Sequence, residues 1–329
     1  MGRCCRTESS AVHRRERYAV GIDLGGTNLK AGLVAENGKA ISLMRVATSG
    51  DGRVIPQIIQ AVRKTIRRSG VDFSRIVGVG IGTPGIVENK KGILLSQTNI
   101  RGWEKIKIKK EIEKILPFPV YADNDVNLIT LAELRYGAGK GKRNLVCLTL
   151  GTGVGGAIVV DGKVYHGNGF RAGEIGRMVV GSPGGVDYVE DHIGREGIIE
   201  RARELLKTEK DSLIAKLVNG DLNSITPETI YKAAVKGDLL AKRIWGEFGF
   251  YLGFTLTNVI NFFNPEMVII GGRVSEARKF FSQSLMKIVK DKSFNLFNNK
   301  AEIAFSKLGE KAGVLGAGMI AWRNSGWER

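Results

Sequence analysis

The chain has 329 residues, enough for two domains with sizeable cores, and at 43% hydrophobic and 25% charged it has the composition of an ordinary globular protein. No run of about 18 apolar residues occurs, so no transmembrane helix or membrane partner is expected. The net charge of +17 suits attraction of an anionic nucleotide. No helix-turn-helix, zinc finger or aromatic-plus-basic RNA motif accompanies it, which argues against nucleic acid as a partner.

Residues 1–17 carry Arg3, Arg6, Arg14, Arg15 and Arg17 against Glu8 and Glu16, with no apolar stretch. They read as a disordered basic tail rather than a secretory signal. Cys4, Cys5 and Cys147 form neither a disulfide framework nor a metal spacing, which fits a cytoplasmic protein.

Tyr18 to Ile22 reads as a strand, and Ala31 to Ala35 as its return. Between them lies Asp23-Leu24-Gly25-Gly26-Thr27-Asn28-Leu29-Lys30, an acid, two glycines, a hydroxyl and a lysine at a hairpin tip. Glycines let backbone amides approach phosphate oxygens. Asp23 can hold a phosphate-bound Mg²⁺, directly or through water. A Gly-Gly hairpin with an incidental acid and lysine is the alternative.

Ile55 to Arg68 has helical spacing, and Ile76 to Ile81 is a buried strand ending in Gly82-Thr83-Pro84-Gly85. Lys109 to Leu116 is a short helix. Pro117 and Pro119 end it and lead into the strand Val120 to Ala122. Asp123, Asn124, Asp125 and Asn127 then cluster before a helix from Asn127 to Tyr136. One such residue caps a helix. Four suggest a polyol substrate gripped beside a carboxylate base, at a strand end where α/β proteins bind ligands. Phosphoryl transfer from ATP to a hydroxyl needs such a base, a metal on the phosphates and donors for the charge.

Val146 to Val160 repeats the first pattern: apolar run, Gly151-Thr152-Gly153-Val154-Gly155-Gly156, apolar run. Self-similarity at this range predicts duplicated lobes, with two hairpins clamping one polyphosphate. Gly151, Gly153 and Gly156 spell a dinucleotide fingerprint, but a strand follows where that fingerprint requires a helix. Ile198 to Leu206 continues a helix, and Pro227 opens another. Arg243 to Phe263 is a long helix with one apolar stripe, and Gly246, Gly249 and Gly253 invite a close neighbour. Asn264-Pro265 stops it. Met267 to Ile270 is a strand ending in Gly271-Gly272. Ala312 to Trp322 closes the chain as a helix whose Gly316-Ala317-Gly318 reads as small-residue packing. Strands alternating with helices, plus antiparallel hairpins, mean an α/β protein with mixed sheets.

These motifs, in this order over about residues 18–322, resemble the ROK family (repressors, open reading frames and kinases), and most of all its bacterial glucokinases. Asp23 to Lys30 is similar to the family's first phosphate motif, and Leu150 to Gly156 to the second. Gly80-Ile81-Gly82-Thr83-Pro84-Gly85-Ile86-Val87 is similar to the sugar-side loop. Asn124-Asp125 matches the pair that binds sugar hydroxyls, the family's base falling on Asp125. Ile269 to Ser275 resembles the adenosine motif.

The resemblance implies the actin-like ATPase fold, two ribonuclease-H-like lobes around a cleft. The small lobe would hold 18–122 plus 311–325, and the large lobe 123–310. It implies an ATP- and Mg²⁺-dependent hexose kinase, a glucokinase forming glucose 6-phosphate, assembled as a homodimer or homotetramer. Sugar contacts would come from Gly85, Asn124, Asp125, Glu174, Glu190 and Arg177. Nucleotide contacts would come from Asp23, Gly25, Gly26, Thr27, Lys30, Gly151, Thr152, Gly153, Gly271, Gly272 and Ser275, with Asp23 supporting the metal. Kinases for N-acetylmannosamine, N-acetylglucosamine or fructose are the alternative. A sugar-responsive regulator is a further one, which would need a DNA-binding domain before Asp23.

The chain departs from the family in one region. Glu-x-Gly-His becomes Glu174-Ile175-Gly176-Arg177, and residues 178–197 contain none of the cysteines of the family's zinc loop. Histidine and cysteines are absent together, so no structural zinc is expected. The loop is shortened to Gly181-Ser182-Pro183-Gly184-Gly185, and Glu190 aligns with the sugar-binding Glu beyond it. Arg177 either donates to sugar in the histidine's place or pairs with Glu174 or Glu190. His192, two residues past Glu190, reads as structural.

Overall fold

The computed structural model describes residues 16–49, 53–96, 103–182, 184–294 and 301–326. The expected disordered tail lies outside the described residues up to position 15, as do Cys4 and Cys5. Glu16 is already fixed: its carboxylate accepts from the Tyr18 hydroxyl at 2.7 Å and its carbonyl from Arg75 Nε at 2.6 Å.

Two five-stranded sheets share one connectivity. In the first, β1 (Tyr18–Leu24), β2 (Asn28–Ala35) and β3 (Ala40–Ala47) form an antiparallel meander. Helix α1 (Val54–Ser69) crosses over to β4 (Ile76–Thr83), which lies parallel to β1. A side hairpin of β5 (Ile86–Glu88) and β6 (Ile93–Ser96) and helix α2 (Ile108–Glu113) lead to β7 (Val120–Asn124), parallel to β4. The strand order is β3-β2-β1-β4-β7.

Helix α3 (Asp125–Tyr136) leads to the second sheet. There β8 (Leu145–Leu150), β9 (Val154–Val160) and β10 (Lys163–Val164) repeat the meander. A small hairpin of β11 (Val179–Ser182) and β12 (Gly185–Tyr188) follows. Helices α4 (Val189–Ile193), α5 (Arg195–Leu206), α6 (Leu213–Leu217), α7 (Pro227–Val235) and α8 (Leu239–Phe263) come next. They are followed by β13 (Met267–Gly271), α9 (Arg278–Lys292), β14 (Glu302–Phe305) and α10 (Ala312–Asn324). The order β10-β9-β8-β13-β14 matches the first sheet strand for strand. The repeated hairpin motif therefore reflects a repeated half-fold.

Each sheet is covered by helices, so β1, β4, β8 and β13 bury nearly every residue. On α1 the buried stripe is Val54, Ile58, Val62 and Ile66, ending at Gly70 in the left-handed region. The stripe expected on α8, Ile244, Phe248, Leu252, Thr255, Leu256, Val259 and Ile260, is buried throughout. Two of its three glycines pack closely on α9, Gly249 against the Phe281 carbonyl and Gly253 against Leu285. Gly246 faces Ser284 of α9 more loosely and lines a groove of about 1190 Å³. Cys147 is buried in β8, where desolvation pushes its thiol up to about 12. Among the described residues no helix is long and apolar enough to cross a membrane.

Helices α3 and α10 cross at the join. A side chain at Gly316 would collide with the Leu128 carbonyl, so the small-residue run serves helix packing, as the sequence predicts. Buried Glu133 of α3 accepts from Ser306 Oγ (2.6 Å) and from the amides of Leu308 (3.0 Å), Lys307 (3.1 Å) and Ala138 (2.8 Å). It ties the loop entering α10 to α3.

Candidate active site

The first hairpin places Asp23 opposite Lys30. Lys30 Nζ lies 3.6 Å from Asp23 Oδ2 and donates to the Glu310 carbonyl at 3.4 Å. Helix α10 begins against the Asp23 carboxyl, and a side chain at Gly313 would collide with it. The N-terminal end of a helix favours negative charge. Burial nevertheless raises the Asp23 carboxyl above its ordinary range, with Lys30 acting against the rise. Gly26 and Thr27 are exposed at the tip. The tip is braced behind by Thr48, whose hydroxyl donates to the Gly25 carbonyl at 2.6 Å and whose amide donates to the Thr27 carbonyl at 2.9 Å.

The Asn124–Asp125 turn joins β7 to α3. Asn124 does cap the helix, its Oδ1 accepting from the Val126 amide at 2.9 Å and the Asn127 amide at 3.2 Å. It does more than cap. Its Nδ2 donates to the Gly85 carbonyl at 3.0 Å, which fastens the Gly82–Gly85 loop to the turn. One amide hydrogen of Asn124 remains for a ligand.

Asp125 is partly buried and accepts from the Val126 amide at 2.9 Å. Burial, and then the nearby Asp23 charge, raises its carboxyl to about 7. A carboxylate that titrates near neutrality suits a general base. Asp123 is different: it is 4% exposed, and both its oxygens are hydrogen-bonded within the protein.

In the second hairpin Gly151 and Thr152 are exposed and the Gly151 amide donates to the Gly153 carbonyl at 3.0 Å. Glu190, in α4, reaches beneath this hairpin, and its Oε2 accepts from the Val154 amide at 2.7 Å. Glu174 is exposed and leads the 3-10 turn Ile175–Arg177. That turn rests on β9, with Gly156 and Gly173 backbone to backbone. Gly271 and Gly272 end β13 beside the same hairpin. Gly272 has φ +89° and would collide through any side chain with the Leu150 carbonyl. The Ser275 hydroxyl donates to the Gly272 carbonyl at 2.6 Å and closes that turn.

Arg177 corrects one expectation. Among the described residues it forms no ion pair with Glu174 or Glu190. Its guanidinium is exposed and lies over the Tyr188 ring, 5.5 Å from the centroid. Glu190 is directed instead to Val154, and the pairing of β11 with β12 sets Tyr188 opposite Val179, two residues beyond Arg177. His192 stacks on Tyr251 at 3.7 Å and lies 3.1 Å from Asp187. Two residues on a helix are separated by about 200°, so it faces away from Glu190.

Three residues had no motif to announce them. Gly313 admits the Asp23 carboxyl. Glu133 sits in an unremarked helical stretch. His166 precedes Gly167-Asn168-Gly169, and its being one of three histidines is the signal that could have found it. No cluster of three or more His, Cys, Asp or Glu side chains is assembled for a metal among the described residues. The donor set at Asp23, one carboxylate beneath an exposed phosphate-type loop, matches the way Mg²⁺ binds through a carboxylate and substrate phosphates.

A profile of the ROK family matches residues 19–324. The chain belongs to the ROK family. It is 32% identical over 316 residues to a glucokinase of Halalkalibacterium halodurans, covering 93% of this chain and 95% of that one. It is 28% identical over 309 residues to a xylose repressor of Caldicellulosiruptor bescii, covering 90% of this chain and 76% of the repressor. Among solved structures, a ROK family glucokinase from Streptomyces griseus, in complex with glucose and AMPPNP, superposes with a TM-score of 0.80 at 29% identity. It covers 93% of this chain and 99% of that one. The fold of this ROK protein is accordingly the actin-like ATPase fold, as the motif order implies.

Proposed function

We propose that this ROK protein is an ATP-dependent hexose kinase acting on a sugar 6-hydroxyl, with glucose as the preferred acceptor. One observation carries the reading. The turn that carries Asp125 is fastened by Asn124 to the Gly85 loop, beside Asp23 of the first hairpin, where burial raises the Asp125 carboxyl to about 7.

Asp125 takes the proton from the 6-hydroxyl as its oxygen attacks the γ-phosphorus. The bond from that phosphorus to the β-bridging oxygen breaks and ADP leaves. Catalysis here is mostly positioning and charge stabilisation. Asn124, the Gly85 backbone, Glu174 and Glu190 orient the remaining hydroxyls, Glu190 through the oxygen that Val154 leaves free. Gly25, Gly26, Thr27, Lys30, Gly151, Thr152 and Gly153 receive the phosphates, and Gly271, Gly272 and Ser275 flank the adenosine. Asp23 would hold Mg²⁺, directly or through water, and the bound ion would offset charge on the phosphate oxygens. Zinc has no role in this reading.

Arg177 favours a second reading, a kinase for another sugar such as N-acetylmannosamine, N-acetylglucosamine or fructose. A guanidinium stacked on Tyr188 offers a shape and charge unlike a zinc-braced imidazole. An ADP-release assay across a hexose and N-acetylhexosamine panel separates the two. ADP release that no sugar stimulates would exclude both.

A further inference from the structure

His166 follows β10 of the second sheet, yet its ring reaches the first. Its Nε2 lies 2.8 Å from Asp123 Oδ2 at the end of β7, and 3.0 Å from Asn89 Nδ2 in the turn between β5 and β6. The ring is further held edge-on by Phe170, with centroids 6.4 Å apart. Asp123 Oδ1 in turn accepts from the Asn124 amide at 2.7 Å and from Asn127 Nδ2 at 3.0 Å. One carboxylate thus joins the segment after β10 to the turn between β7 and α3, which carries Asn124 and Asp125.

Burial opposes charge on the imidazole, but the Asp123 carboxylate outweighs it and holds His166 above its ordinary range. Removing one partner of a part-buried pair of this sort leaves the other group unsatisfied.

We propose that His166 is a positioning residue for phosphoryl transfer: by holding Asp123 it keeps the Asn124–Asp125 turn in register with phosphate hairpins that come from both sheets. His166 touches neither the phosphoryl group nor the acceptor oxygen in this role. It acts through Asp123. The proposal rests on the kinase reading above.

The test is steady-state kinetics with sugar and ATP both varied, plus melting curves, on full-length His166→Ala, His166→Gln, Asp123→Asn and the His166→Ala/Asp123→Asn double variant. Glutamine can bring an amide nitrogen to where Nε2 sits. His166→Ala should lower kcat roughly ten-fold and raise the sugar KM, with the ATP KM unchanged. His166→Gln should recover most of that loss. The double variant should be little worse than Asp123→Asn alone, because both changes break one contact. Wild-type kcat in His166→Ala, independent losses in the double variant, or no recovery with glutamine would each overturn the proposal. Failure of the wild type to phosphorylate any sugar would remove the kinase reading and this role with it. Transfer by the wild type with His166→Ala unaffected would remove this role alone.

Discussion

Glu190 Oε2 accepts a hydrogen bond from the Val154 amide at 2.7 Å, so a side chain proposed to contact sugar also holds the strand that leaves the second glycine-rich hairpin. Val154 is buried, and its amide loses its carboxylate acceptor if Glu190 is truncated. Glu190→Ala should therefore impair both substrates, lowering kcat/KM for ATP as well as for sugar by roughly ten-fold each. Initial-rate kinetics with each substrate varied will check this. A defect confined to the sugar would mean the Val154 bond is dispensable.

Asp125→Asn should lower kcat by at least about 100-fold in a protein that still folds, since general-base catalysis contributes about 10²–10⁴-fold. Near-normal turnover would move the base elsewhere. Asp123 would be a poor replacement, because both its oxygens are occupied.

The raised carboxyl of Asp125 has a signed effect on pH dependence. Its value climbs from 3.8 unfolded to about 7 folded, so the folded state holds the extra proton between those values. The stability this supplies is complete below about 4 and is lost as pH rises through about 7, by an amount on the order of 4 kcal/mol at most. Activity should run the opposite way, kcat/KM rising through a limb near 7 as the base ionises. Denaturant melts of the ligand-free protein across this range should slope downward, and Asp125→Asn should flatten them. Identical slopes in both proteins would place the titration on another group.

For Arg177→Ala the structure revises what the sequence suggests. An exposed guanidinium over an aromatic ring contributes about 0.5–1 kcal/mol, far less than half of a buried ion pair. The melting temperature should barely move, while the sugar KM or the order of sugar preference should change. A large loss of stability would restore the ion-pair idea. An unaltered sugar profile would mark Arg177 as a surface replacement.

Glu133→Gln tests the join between α3 and α10. The Lys307, Leu308 and Ala138 partners of this buried carboxylate are amide donors, so the new side-chain NH₂ group would confront N–H groups. Destabilisation on the order of 3 kcal/mol is expected from equilibrium denaturation. A change below about 0.5 kcal/mol would show that the loop entering α10 is held by other contacts.

What the sequence determined by itself was local and periodic. Apolar runs around two glycine-rich tips, at Gly25-Gly26 and Gly151 to Gly156, gave both glycine-rich hairpins, and the stripe on α8 gave its buried face. Such features depend on neighbours a few residues apart. The acids and amides of Asp123 to Asn127 were legible as a cluster, but not their division of labour. Only the folded chain brings Gly85, 39 residues away from Asn124, onto its amide, and His166 onto Asp123, leaving Asp125 as the carboxylate that titrates near neutrality. The same holds for Arg177. Spacing allowed a pair with Glu174 or Glu190, and the folded hairpin of β11 and β12 supplied Tyr188 instead. Hydrogen bonds and desolvation across distant segments decide which charged group is satisfied and which is left to react, and the order of residues along the chain does not encode those distances directly.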